Sequence, residues 1–253
     1  MPALRSLNRF QAAGIHLAIS TFVAAIVLAA LLLVWYPQPY FRLAGGAGLM
    51  LILIGVDVVL GPLLTLVVFD PRKKSLPFDL AVIATLQVAA FVYGISVIAQ
   101  ARPAFVVFAG DRFTVVSANQ INPESLAAAS APWNTLPLGG PRLVGARMPD
   151  DPAERSKLAL LAASGIDLPV LPRYYVPFAE IADELKAEAR PLAELNRGDA
   201  DAKTRIDAAL ARTGRAVDTL AWVPVLGRME AGSAIVDKAT GEVIAVLPVY
   251  PFR

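Results

Sequence analysis

The chain has 253 residues, with 23 Lys and Arg against 21 Asp and Glu, one histidine and no cysteine. Thiol catalysis, disulfide staples and Cys-ligated metals are excluded, and the lone His16 rules out a multi-histidine metal site or a Ser-His-Asp triad in the C-terminal part. Residues 1–101 hold 6 Lys/Arg and 3 Asp/Glu, and the remainder holds 17 and 18, so the net charge of +2 comes from residues beside apolar runs. That pattern is no basic face for nucleic acid.

Three apolar runs come first, at residues 15–35, 44–69 and 80–99. Each has about the 20 residues needed to cross a bilayer. The first is too long for a signal-peptide core and ends in Trp35-Tyr36-Pro37, so it reads as a retained anchor. Arg5 and Arg9 precede it, and Arg72, Lys73 and Lys74 form a basic turn between the second and third runs. The loop after the first run carries only Arg42, and Arg102 follows the third. The positive-inside rule then puts the N-terminus and the basic turn in the cytoplasm and residues 102–253 on the other side. Trp35, Tyr36, Tyr40 and Phe41 read as an aromatic belt at the outer interface.

The second run contains Asp57, a carboxylate where hydrocarbon is expected, at a cost of roughly 2.5–3.5 kcal/mol on insertion scales. At about 1.5 Å per residue, Tyr93 on the third run stands near the same level and Gln87 within a turn or two. The first expectation is an interhelix hydrogen bond from Gln87 or Tyr93 to Asp57, with the acid protonated. The sharper one is contact with a partner helix. Gly61-Pro62 predicts a kink that frees a carbonyl near Val58 and opens a groove. Ser20/Ala24, Ala25/Ala29 and Ala90/Gly94 space small residues for close helix approach. His16 is expected at the interface or bonded to a neighbouring span. The turn Arg72-Lys73-Lys74 first sets topology, with anionic lipid or an acidic partner as the alternative.

After Arg102-Pro103 the pattern becomes α+β. Residues 104–108 and 112–118 read as a hairpin, and the Pro/Gly-rich stretch 132–149 reads as loop. Asp150-Asp151-Pro152 starts a helix whose acids act as caps, with Leu158 and Leu161 on one side. Phe178, Ile181, Ala182, Leu185, Ala189 and Leu192 have helical spacing, bent or ended by Pro191. Residues 199–213 read as another helix, with Asp199 and Asp201 in its first turn and Gly214 after it. Strands follow at 221–226, 234–237 and 242–249, the last two joined by a turn in which Gly241 takes a positive φ.

No nucleophile elbow, P-loop, zinc-protease or dinucleotide motif is present. The sequence gives no reason to expect an enzyme, a metal or a cofactor. A rival to a protein-binding role is a membrane-anchored ligand-binding or transport accessory protein, which requires a concave pocket with convergent polar groups in residues 102–253.

Four stretches carry a family resemblance: FQAAGIHLAIS at 10–20, VWYPQPYF at 34–41, GVDVVLGPLLTLVVFDPRKKSLPFDLAVIATLQVAAFVYG at 55–94 and ARPAFVVFAGDRFTVVSA at 101–118. Together they cover about the first 120 residues and resemble the TfpX/TfpZ family of type IV pilin accessory proteins. The resemblance implies three transmembrane α-helices in residues 1–101, in the inner membrane of a Gram-negative bacterium, followed by a periplasmic α+β domain in residues 102–253. It implies a chaperone or assembly factor whose partners are the type IV major pilin, inner-membrane lipid and other pilus assembly proteins, and no enzymatic activity. On that reading Asp57, Gly61, Pro62, Gln87 and Tyr93 are the candidate partner or intramembrane contacts, with the mature pilin's amine a charge partner for Asp57.

Overall fold

A computed structural model describes residues 6–195 and 200–251, and the chain divides into two compact units. The first comprises Met1–Val34 and Gly46–Gln100; the second comprises Trp35–Gly45 and Ala101–Arg253.

The first unit is built on three long helices, α1 (Arg9–Val34), α2 (Gly46–Val68) and α3 (Leu76–Ala101), each long and apolar enough to cross a membrane. Helix α1 starts earlier than its apolar run because Asn8 and Gln11 cap it reciprocally. Asn8 N–H donates to Gln11 Oε1 at 3.0 Å, and Gln11 N–H donates to Asn8 Oδ1 at 2.8 Å. Only 6%, 22% and 11% of the apolar windows of α1, α2 and α3 are buried inside the protein. Side chains such as Phe22, Leu33, Leu51 and Val67 are exposed. Hydrocarbon, not a protein core, is the solvent such helices require. Helix α2 is α-helical over Gly46–Ile54, π-helical over Gly55–Leu60 and α-helical again over Gly61–Val68.

The second unit is helix plus sheet. Among the described residues its strands are β1 (Pro103–Ala109), β2 (Arg112–Ser117), β3 (Arg142–Ala146), β4 (Tyr175–Val176), β5 (Arg190–Pro191), β6 (Leu220–Leu226), β7 (Ala231–Asp237) and β8 (Val243–Leu247). Among the described residues the spatial order is β4-β3-β1-β2-β6-β7-β8, with β5 added onto β6. The β1–β2, β6–β7 and β7–β8 neighbours are antiparallel, while β1–β3 and β2–β6 are parallel. Gly241, at φ 74, turns the chain between β7 and β8 as expected.

Both faces of the central strands are covered. Val106 and Phe108 of β1 join Phe113, Val115 and Val223 under Ile181 and Leu185, whereas Phe105 and Val107 join Val116, Val144 and Tyr175 on the opposite face. Alternation of side chains along a strand produces this division. Helix α4 (Pro152–Ala163) has its N-cap in Asp151, whose Oδ1 accepts the Ala153 N–H at 3.0 Å. Helix α6 (Ala200–Thr213) packs Ala202 and Ile206 against Leu220, Trp222 and Ile235; Asp199 lies outside the described residues.

Four expectations are corrected here. The stretch 132–149 contains β3, pairing with β1 in the middle of the sheet. Its Gly145 reads as loop, yet a Cβ there would collide with Ile181. The predicted helix over Phe178–Leu192 is only α5 (Ala182–Glu188), flanked by 3-10 turns, because Arg190 and Pro191 leave it to pair with Trp222 and Ala221. Trp35–Gly45 is part of the second unit. Leu43 is fully buried in the sheet core, and its carbonyl accepts the Met229 N–H at 3.1 Å. Tyr36 is likewise fully buried, and Trp35 Nε1 donates to the Leu138 carbonyl at 3.0 Å. Tyr36 therefore packs into the domain and does not face lipid.

Candidate functional site

The membrane unit contains a groove of about 440 Å³. Its walls are apolar, from Ile19, Val23 and Ala24 of α1, Leu53 of α2, and Ala84, Val88 and Phe91 of α3. Four polar side chains interrupt them: His16, Ser20, Asp57 and Gln87. Such a concave, mostly apolar surface with a few placed polar groups is the usual form of a binding site.

The arrangement around Asp57 follows from one residue, Pro62. In the π-helical segment each N–H bonds five residues back, and Gly61 N–H accordingly donates to the Val56 carbonyl. The Asp57 carbonyl then has neither of its regular donors. Gly61, four residues on, is bonded elsewhere, and Pro62, five residues on, has no N–H. Gln87 Nε2 reaches across from α3 and donates to that carbonyl at 3.4 Å. Gly61 makes the reach possible, since a Cβ at this position would collide with the Gln87 amide. The carbonyl served by Gln87 is thus one residue earlier than α-helical spacing from Pro62 predicts, because the π register adds one residue to the turn.

Asp57, Gly61, Pro62 and Gln87 therefore come together, but not through the expected bond to the carboxyl. Gln87 bonds the Asp57 backbone. Asp57 Oδ2 is buried and has no hydrogen-bond partner among the described residues. Tyr93 does not take part: it is 71% exposed. It lies nine residues, two and a half helical turns, beyond Ala84 and so projects from the face of α3 opposite the groove.

His16 Nδ1 and Thr65 Oγ1 are joined by a 2.6 Å hydrogen bond that ties α1 to α2. Thr65 was not singled out in the sequence. It is a polar residue in the same apolar run, about two helical turns beyond Asp57, which is the signal that could have found it. Gly94 packs against Leu53, where a Cβ would meet Leu53 Cδ1 at 2.7 Å. Ser20 and Ala24 line the groove.

The basic turn is exposed. Lys73 Nζ pairs with Asp79 Oδ2 at 2.9 Å, and Arg72 N–H donates to Asp70 Oδ1 at 3.0 Å. Among the described residues no cluster of His, Asp and Glu suited to a metal is present.

The second unit has cavities of about 400 and 650 Å³. Arg42, Arg205 and Glu230 line the smaller, in which Arg42 and Glu230 pair at 3.2 Å, and the larger runs along β8. Neither is lined by an unpaired buried polar atom among the described residues.

Comparison with known proteins gives a consistent picture. Residues 5–45 match the family model of the fimbrial assembly protein FimB. Two curated relatives come from Dichelobacter nodosus. The fimbrial assembly protein of serogroup I is 33% identical over 192 residues, and that of serogroup E1 is 34% identical over 193 residues. Each alignment covers 75% of both chains. A third, from serogroups C1 and C2, is 37% identical over 127 residues, covering 49% of this chain and 97% of the relative. No solved structure matches. An alignment of 192 residues is longer than either compact unit and takes in parts of both. The chain belongs to the fimbrial assembly protein family.

Proposed function

We propose that this chain is a type IV pilin accessory protein of the TfpX/TfpZ kind. It resides in the inner membrane, with its N-terminus and the Arg72-Lys73-Lys74 turn in the cytoplasm and its second unit in the periplasm. There it holds the major pilin, stabilises it and passes it to the other pilus assembly proteins. It acts by binding and not by catalysis. The observation that carries this reading is the relationship to proteins named for fimbrial assembly, extending over parts of both units. The physical rationale is avidity. A protein with a membrane unit and a separate α+β unit can contact a membrane-anchored subunit at two places. The second contact then benefits from a raised effective concentration. The distribution of Lys and Arg supports the orientation.

Removing the protein from piliated cells tests the function. The expected result is lower pilin abundance and fewer surface pili, restored on re-expression. Unchanged pilin and piliation contradict it. Because the chain lacks cysteine, single reporters test orientation cleanly. A membrane-impermeant maleimide should label Ser130→Cys but not Lys74→Cys once the outer membrane is permeabilised.

A further inference from the structure

Asp57 stands at the midpoint of α2, eleven residues from Gly46 and eleven from Val68, or about 16 Å from either end. Its side chain lines the groove, Asp57 itself is about nine-tenths buried, and Oδ2 is unpaired among the described residues. An unpaired carboxyl oxygen at that depth is expensive and calls for a donor. Gln87 is not that donor: its amide bonds the backbone carbonyl and does not reach Oδ2. Neither is Tyr93, which projects from the opposite face of α3. A lipid headgroup amine stays at the interface, far above this level. His16 and Ser20 line the same groove, but His16 Nδ1 is joined to Thr65 and neither side chain bonds Oδ2. A donor that reaches mid-bilayer from outside this chain comes on a protein helix. Around Asp57, Leu53, Val88 and Phe91 offer apolar contact, and Ser20 and Ala84 leave room for a backbone to come close.

We propose that the groove among α1, α2 and α3 is the seat of one apolar transmembrane helix from a partner protein, which presents a hydrogen-bond donor or a cation to Asp57. A second copy of this chain is a poor occupant. Tyr93, an exposed donor on α3, and the groove face opposite ways, so mutual pairing through Tyr93 does not close into a dimer. The inference rests on the accessory reading for the partner's identity, which makes the occupant the membrane helix of pilin.

The test is photocrosslinking of the full-length protein in native membranes, with p-benzoylphenylalanine at Val88 in the groove or at Tyr93 on the opposite face. Val88 should yield an adduct to a peptide from an apolar membrane helix of another protein, and Tyr93 should not. Asp57→Leu should lower that adduct about three- to tenfold, the effect of one interhelical hydrogen bond. If Asp57→Leu fails to accumulate, Ala84→Phe fills the groove without altering Asp57 and should abolish the adduct. Adducts only to lipid or to a second copy, or an adduct indifferent to both substitutions, overturn the proposal. If the adduct peptide belongs to a membrane protein other than pilin, the seat stands and the pilin reading falls. If pilin co-purifies but Val88 gives no adduct to it, the seat falls and the pilin reading stands.

Discussion

Gln87 Nε2 donates to the backbone carbonyl of Asp57, 3.4 Å away on the neighbouring helix, and so replaces the donor that Pro62 lacks. A polar side chain within one span thereby completes the backbone of another. The membrane tolerates a proline-interrupted helix only where such a substitute is at hand.

This relationship predicts a coupling between Pro62 and Gln87. Gln87→Leu alone should destabilise the membrane unit by about 1–2 kcal/mol. In a Pro62→Ala background the helix regains an N–H, and the same change should cost clearly less. Equilibrium unfolding of the purified protein in mixed detergent, run as a double-mutant cycle, measures the difference. Additive costs would show that the amide does not compensate for the proline.

The His16–Thr65 hydrogen bond, at 2.6 Å, is a polar tie between α1 and α2. Thr65→Val keeps the shape and removes the hydroxyl. It should cost about 0.6–1.7 kcal/mol in the same unfolding assay, and His16→Ala combined with it should cost less than the sum of the two.

Leu43 is fully buried in the sheet core although it lies between the first two spans. Leu43→Ala should destabilise the second unit by about 2–5 kcal/mol, the range for emptying a packed site. Limited proteolysis of the full chain should then cut within residues 101–251 faster than in the wild type. Gly227→Ala should act in the same direction, since a Cβ there would collide with the Leu43 carbonyl.

Asp237 closes the β7–β8 turn. Its Oδ1 accepts the N–H groups of Thr240 and Ala239, each at 2.9 Å, and its Oδ2 pairs with Arg215 at 2.6 Å. These contacts, led by the Thr240 N–H, hold the carboxyl below its ordinary value. A carboxylate whose folded pKa is depressed adds stability above its unfolded pKa, about 4, and loses it as pH falls through the folded value. The thermal midpoint of the second unit should therefore drop below about pH 4, and Asp237→Asn should flatten that part of the profile.

Much of this fold was legible because its signals are local. Twenty-residue apolar runs, the cap at Asp151 and the turn at Gly241 each depend on neighbours in sequence. What was missed depends on tertiary context. Strand β3 is five residues long, and its Gly145 mimics a loop while making room for Ile181. Leu43 reads as part of a short extramembrane loop, and only the assembled sheet shows the hole that it fills. At the site, equal depth suggested Tyr93 as the partner of Asp57. Azimuth decides instead, because Tyr93 and Gln87, six residues apart, differ by about 120° around α3. Which face of α3 meets α2 is a packing fact that depth alone does not contain.

The most direct test of the central claim is co-purification. A tagged full-length protein, expressed at its native level in piliated cells, is crosslinked in the membrane and purified in detergent, and the attached proteins are identified. The account predicts that the major pilin is the principal species recovered, and that it is recovered before assembly, from the membrane fraction. Recovery of no pilin after crosslinking in cells that are making pili would contradict it.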